Sequence, residues 1–394
     1  MNFNDKLNNF YDNYDTVKKN IRKAIKNNLI KMGDGGSNNI IVINDDNVLK
    51  IVPVFKNTLS TIKLNNDDFE YVFYKNFTDE FIITNITPHI VGFYKKYLLD
   101  NINILLPRNC YTLDEKLLLS PNKKDKITDK LCYIKKGVEK KMVNLKASIF
   151  VLEKCTTTIS DEIEKLLKTK MPINNKKYLF TQILRRILFQ FIFTLTIIQD
   201  KYPNFIHNDM FLRNILAVKE YDYEHTDYVE YNYKSKKYYL PANGIYIKIN
   251  DFGFSLNITK QNSSIEKKIK SHITDGFELV NNKRDIYTFL FDLYDGPNLG
   301  AESVKTLIHN NITKVTRNIF LGTLKKELGE FINYKIIDKI NSINLGILDW
   351  QWNISESKLL MNSIKKPKDY FDQNKFKYFN YLPANGRVVE IFNK

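Results

Sequence analysis

The sequence predicts an α+β fold, β-rich towards its N-terminal end and helical beyond. Three observations carry this. Residues 29–55 hold three runs of β-branched residues separated by two turn segments. The apolar stretch at 178–199 has the length of a buried helix, not of a strand. Beyond Asp285, helical patterns alternate with Lys-rich loops. With 394 residues and 43% hydrophobic content, the chain fits one two-lobed enzyme or two ordinary domains.

Taken in order, Met32-Gly33-Asp34-Gly35-Gly36-Ser37 leads into Asn39-Ile40-Ile41-Val42-Ile43, and the Asn44–Asn47 turn precedes Val48–Val52. Clusters of Gly, Asn and Asp between β-branched runs predict a three-strand meander. Phe69, Val72, Phe73 and Phe77 repeat at helical spacing within 67–77. Residues 100–146 mix short apolar pieces with Lys-rich loops and read as an insertion. Ala147–Leu152 is a buried strand, and Thr158 begins a helix with N-cap chemistry. Ile215–Val218 and Ile245–Ile249 are strands expected to pair. The Tyr- and Lys-rich connector between them, 219–243, is expected to be a surface excursion too polar for a core. Tyr-Leu-Pro-Ala-Asn-Gly occurs at 239–244 and 381–386, each copy preceding a strand-like segment, and Asn-Gly turn chemistry accounts for both.

Composition narrows the function classes. The net charge is +16, yet only eight of the 60 basic residues are Arg. Bidentate base readout favours Arg, so nucleic acid is not expected as the primary partner; the Lys-rich surface is read first as a plain solvated face and second as one that attracts acidic or phosphorylated partners. Residues 1–20 are polar and lack the apolar core of a signal peptide. The longest apolar run, 187–198, is too short to span a bilayer. Cys110, Cys132 and Cys155 are widely spaced and odd in number, which suggests neither a disulfide framework nor a zinc site and fits a reducing, intracellular setting.

The chemistry-bearing pattern is Ile206-His207-Asn208-Asp209-Met210-Phe211-Leu212-Arg213-Asn214, followed by Asp251-Phe252-Gly253. A carboxylate five residues before an amide, with a second carboxylate downstream, suits phosphoryl transfer, where positioning and charge neutralisation dominate. Gly33, Gly35 and Gly36, among 14 glycines in all, would let backbone N–H groups approach phosphates; a plain hairpin turn is the other reading. Lys50 sits in an apolar strand and needs an anion, which a nucleotide phosphate or a helix carboxylate would supply; Glu70 on the following helix is the obvious partner, a solvated helix face being the other reading of that residue. His207 reads as a scaffold donor that holds its loop, and Asp285 as a structural acceptor for loop N–H groups.

In this order the chain resembles the eukaryotic-type protein kinase superfamily over roughly Leu29–Tyr294, and its composition and insertions resemble the divergent kinases of large DNA viruses. The resemblance implies a bilobal protein-kinase-like fold. Residues 1–153 would form the N-terminal lobe, with its helix C and the insertion near 100–146. Residues 154–394 would form the helical C-terminal lobe carrying the connector 219–243. It implies ATP and Mg²⁺ as cofactors and a protein hydroxyl as acceptor, Ser/Thr ahead of Tyr, in the cytoplasm of a host or in a virion. Lys50 would contact the nucleotide phosphates and pair with Glu70, and Asp209 would orient the hydroxyl. Asn214 and Asp251 would hold Mg²⁺. Gly33, Asp34, Gly35, Gly36, Ser37 and Ile40 would line the nucleotide, Glu153 and Cys155 would hold adenine by their backbones, and Leu216 would floor it. His207, Phe252, Gly253 and Asp285 would support the loops. The chain departs from the pattern at Asn38, Asn208 and Phe211, which stand for a glycine, an arginine and a lysine, and no Ala-Pro-Glu precedes Asp285. Two rivals share these motifs: a small-molecule phosphotransferase of the aminoglycoside or choline kinase type, and a catalytically silent pseudokinase that acts as a binding module.

Overall fold

The computed structural model describes residues 15, 17, 19, 21, 23, 30–32, 39–43, 47–55, 66–107, 110, 127–220, 223–255, 283–295, 302–333, 335, 363–373 and 375–393. The chain divides into two compact units, one of residues 1–78 and 91–154, the other of 79–90 and 155–394. Asp79–Ile90 thus belongs to the second unit although its sequence position lies within the first.

The first unit is built on five strands, β1 (Ile30–Met32), β2 (Ile40–Ile43), β3 (Asn47–Phe55), β4 (Phe93–Leu99) and β5 (Val143–Glu153), in the order β1-β2-β3-β5-β4. The first three form the antiparallel meander that their β-branched runs predict. β5 starts four residues before the expected Ala147 and pairs with both β3 and β4. Strand side chains alternate between faces. One face carries Ile40, Leu49, Ile51, Ile149 and Val151, which form a core with Val17, Ile21, Leu131 and Ile134. The other carries Lys50 and its cross-strand neighbours Ile41 and Phe150. Helix α1 (Asn66–Phe77) lies on this second face, where Tyr74 and Phe150 meet edge to face at 6.1 Å.

Helix α2 (Ile127–Glu139) occupies part of the expected insertion, and Leu131 and Ile134 tie it to the first core. Lys135 Nζ donates to the Pro107 carbonyl at 3.0 Å. That contact brings the chain after the turn at 102–105 to the helix, and Cys110 and Cys132 are joined by a disulfide with Cα atoms 5.4 Å apart. The expectation of no disulfide is corrected here. A spacing of 22 residues carries no signature by itself, and the pair sits where α2 carries Cys132.

The second unit centres on α4 (Ile173–Lys201), preceded by α3 (Ile159–Lys168). Thr158 and Asp161 close a reciprocal capping box that starts α3. α4 is long and apolar enough to cross a bilayer, but 78% of its most apolar window is buried inside the protein. β6 (Thr157–Thr158), β7 (Ile215–Glu220) and β10 (Gly244–Ile249) form one sheet, in which β7 and β10 pair antiparallel. Helices α5 (Arg284–Asp295), α6 (Val304–Asn311), α7 (Lys314–Leu328) and α8 (Pro367–Asp372) follow.

The connector departs from expectation. It forms a hairpin of β8 (Asp227–Tyr233) and β9 (Lys236–Pro241), joined in parallel by β11 (Arg387–Phe392). Tyr231 and Tyr238 are fully buried, and their rings meet Phe189 of α4 at 5.2 and 5.3 Å. Phe371, Phe376 and Phe379 meet the same ring within 6 Å. The Tyr231 hydroxyl is bonded to His89 at 2.9 Å, and Tyr238 is held by the packing of its ring against Phe189 and Phe371, so a Tyr-rich segment is a core element here and not a surface excursion. Gly244, closing the first hexapeptide, has φ of 130°, and a Cβ there would stand 1.9 Å from Arg186 Nη1. Both demands select glycine.

Candidate active site

In the first unit, Lys50 Nζ lies 2.6 Å from Glu70 Oε1, with both side chains 5% exposed. β3 aims the lysine at α1 because position 50 alternates with the core residues Leu49 and Ile51. A buried ammonium requires such an anion. Ile40 lies on the opposite face, packed in the core, so its assignment to the nucleotide is corrected. Ile41, directly across from Lys50, is the β2 residue on the lysine's side. Gly33, Asp34, Gly35, Gly36 and Ser37 lie outside the described residues. The Glu153 N–H donates to Gly92 O at 2.8 Å, and its carboxylate accepts from Gly92 N at 3.0 Å. Cys155, which belongs to the second unit, is half-buried.

In the second unit, the segment His207–Asn214 is fixed at several points. The His207 and Asn208 N–H groups donate to the two carboxylate oxygens of Asp285 at 2.7 and 3.0 Å. Burial pushes the Asp285 carboxyl up, opposed by His207 and by these two donors. His207 Nε2 donates to Asn250 O at 3.0 Å; a carbonyl can only accept, so Nε2 carries the proton and Nδ1 accepts the Asp209 N–H. Asn208 takes the left-handed conformation, φ 66°, which Asn adopts more readily than most residues.

Asp209 and Asn214 meet directly. Asn214 Nδ2 donates to Asp209 O at 2.7 Å and to Oδ2 at 2.8 Å. With its donors so engaged, the side-chain carbonyl is the group Asn214 has left for a cation. Asn250 N donates to Asn214 O at 2.9 Å, which sets Asp251 one residue from the same loop. Asp251 is itself left-handed, φ 65° and ψ 71°. For a residue other than glycine this costs free energy and is characteristic of functional sites. Phe252 is fully buried with its ring 5.2 Å from that of His207, and Gly253 stands beside Asp251 in the turn Phe252–Phe254. Leu216 is half-buried in β7, opposite Lys248 and Thr158.

Two further residues belong to this group. Arg213 Nη2 donates to Asp209 Oδ1 at 2.6 Å, and its guanidinium lies 4.7 Å from the Phe211 ring centre. Its place four residues after Asp209 is the signal that would have found it. Asp292 on α5 accepts the Leu212 N–H at 2.7 Å, and burial pushes its carboxyl to about 6. Nothing local in the sequence marks that residue.

The oxygen donors of Asn214 and Asp251 suit Mg²⁺, which binds through one or two protein groups together with phosphates. Among the described residues there is no group of three or more His, Cys, Asp or Glu that could hold a metal alone.

No family model matches the sequence. Two proteins of Acanthamoeba polyphaga mimivirus, each named "putative serine/threonine-protein kinase", are similar to it. One is 37% identical over 409 aligned positions, covering the whole of this chain and 99% of that protein. The other is 34% identical over 108 positions, covering 26% of this chain and 21% of that one. A likeness that runs the full length of both chains places the present protein in a family: it belongs to a family of divergent protein kinases that includes this mimivirus protein.

Proposed function

We propose that the protein is an ATP- and Mg²⁺-dependent kinase that transfers the γ-phosphoryl group to a protein hydroxyl, Ser or Thr ahead of Tyr, in the bilobal arrangement the resemblance implies. The observation that carries this is the bonded group Asp209–Asn214, laced through Asn250 to Asp251. Asp209 orients the acceptor hydroxyl and takes its proton; each carboxylate oxygen offers two lone-pair directions, so its bonds to Arg213 and Asn214 leave room for that hydroxyl. Asn214 and Asp251 hold the metal, which when bound neutralises phosphate charge. Lys50, fixed by Glu70, positions the nucleotide phosphates. The name of the mimivirus relative supports the Ser/Thr preference.

The test is transfer of label from γ-labelled ATP with Mg²⁺ to generic acidic and basic proteins and to the kinase itself, followed by phosphoamino acid analysis. Asp209→Ala and Asp251→Asn are expected to abolish the signal. Label that appears on aminoglycosides or choline but on no protein would establish the small-molecule reading instead. ATP binding with no transfer to any acceptor would establish the silent one.

A further inference from the structure

Asp285 and Asp292 stand seven residues apart on α5. Seven residues are two helical turns and about 10.5 Å along the axis, so both carboxylates emerge on one face. Each accepts backbone N–H groups of the same loop, Asp285 at its start from His207 and Asn208, Asp292 near its end from Leu212. The resemblance accounts for the first; nothing so far accounts for the second.

The reason for Asp292 lies in the single turn Leu212–Asn214. Its N-cap is Phe211, whose side chain makes no capping bond. The first N–H of a helical turn has no partner within the turn, and a side-chain oxygen ordinarily supplies one. Here the oxygen comes from another element: Asp292 Oδ2 sits 2.7 Å from Leu212 N. The same turn carries Arg213 and Asn214, the two side chains bonded to Asp209. Asp292 otherwise lies among apolar residues of α5, is 2% exposed, and has its other oxygen, Oδ1, buried with no hydrogen-bond partner among the described residues. A buried oxygen left unbonded is costly, so general stability is a poor reason for a carboxyl at this position.

We propose that Asp292 is a positioning residue that caps the Leu212–Asn214 turn from α5 and thereby sets Asn214 and Arg213 against Asp209. The proposal rests on the kinase reading above. It makes α5 a two-point clamp, with Asp285 fixing where the loop enters and Asp292 where it leaves, so the separation of Asp209 from Asn214 is held by the rigid spacing of one helix.

The test uses the full-length chain with Asp292→Ala and Asp292→Asn, read by kcat, KM for ATP and peptide-level hydrogen exchange over 207–214. Asp292→Ala is expected to lower kcat by about 10- to 100-fold, the scale of an ångström's misplacement, with KM for ATP changed by less than about twofold. Exchange of the 210–214 segment should quicken. Asp292→Asn keeps a side-chain carbonyl for Leu212 and should recover most of kcat. Parental kcat in Asp292→Ala, or loop exchange unaltered in it, overturns the proposal. If Asp292→Ala does not fold, Asp292→Asn decides: near-parental kcat supports the capping role, and a loss of about tenfold or more overturns it. Absence of transfer by the parent would overturn the kinase reading alone, since the exchange measurement still reports whether Asp292 holds the turn.

Discussion

His207 Nε2 donates to the carbonyl of Asn250 at 3.0 Å, joining the loop that carries Asp209 to the residue just before Asp251. One imidazole therefore spaces the two carboxylates of the site, while its Nδ1 accepts the Asp209 N–H. His207→Phe keeps the ring against Phe252 and removes both bonds. Two lost bonds, one of them at the buried Asp209 N–H, should cost about 1–3 kcal/mol. The shift in urea midpoint measures this; a loss below half a kcal/mol would show that the ring's packing alone holds the loop.

Lys50 and Glu70 make a second relationship of this kind, a buried ion pair in the first unit. Lys50→Met leaves Glu70 buried without its ammonium and should destabilise the first unit by roughly 3–5 kcal/mol. Lys50→Met with Glu70→Leu replaces both charges by apolar groups and should recover most of that stability. Transfer activity should stay absent in both. A double variant no more stable than the single one would mean that Glu70 has another partner that matters more.

Asp292 gives a pH dependence with a definite sign. Burial raises its carboxyl from 3.8 to about 6, so the folded protein holds that proton more tightly than the unfolded chain. The stabilisation from the bound proton is complete below about pH 4 and is lost as pH rises through about 6. Two pH units correspond to about 3 kcal/mol. Asp292→Asn has no such proton, so its stability relative to the parent should rise between pH 4 and pH 7. Denaturation midpoints of both proteins at pH 4, 5.5 and 7 test this, and a constant difference would contradict the shift. The charges that bear on Asp292 are those of Arg213 and Asp209.

Tyr231 tests the buried connector. Its hydroxyl lies 2.9 Å from His89 Nε2, and His89 Nδ1 faces the Ile247 carbonyl at 3.1 Å, so Nδ1 donates and Nε2 accepts from the tyrosine. Burial holds His89 well below its usual range, hence neutral. Tyr231→Phe should cost about 1–3 kcal/mol by leaving that nitrogen unbonded. Tyr231→Ala should cost about 3–5 kcal/mol, as loss of a large buried ring does. Replacement of 221–243 by an Asn-Gly turn should abolish the cooperative unfolding of the second unit. Cooperative melting that survives this replacement would return the connector to the surface.

What was legible in the sequence was short-range. The meander, the capping box at Thr158 and the pairing of Ile215–Val218 with Ile245–Ile249 each follow from neighbouring residues and the period of a strand or helix. So did the spacing of Asp209 from Asn214, since a loop closing over five residues brings its ends together. Ile40 was misplaced because the step to Ile41 reverses the face, and only the register against Lys50 decides which is which. Asp292 and the disulfide depend on partners far along the chain. Tyr231 and Tyr238 read as polar surface by their hydroxyls, whereas the rings that bury them, and the His89 that bonds Tyr231, lie elsewhere along the chain.

The parallel pairing of β11 with β8 has a consequence for synthesis. Arg387 bonds Asp227 across 160 residues, and Asn393 bonds Asn232 across 161. At about 5–20 residues per second, β8 waits roughly 8–32 seconds on the ribosome before its neighbour exists. Throughout that interval the hairpin exposes an unpaired edge flanked by tyrosines, the kind of surface that recruits other strands. The first unit, complete by residue 154, can fold while the second is still being made. Factors that slow elongation should therefore lower the yield of native second unit before they affect the first.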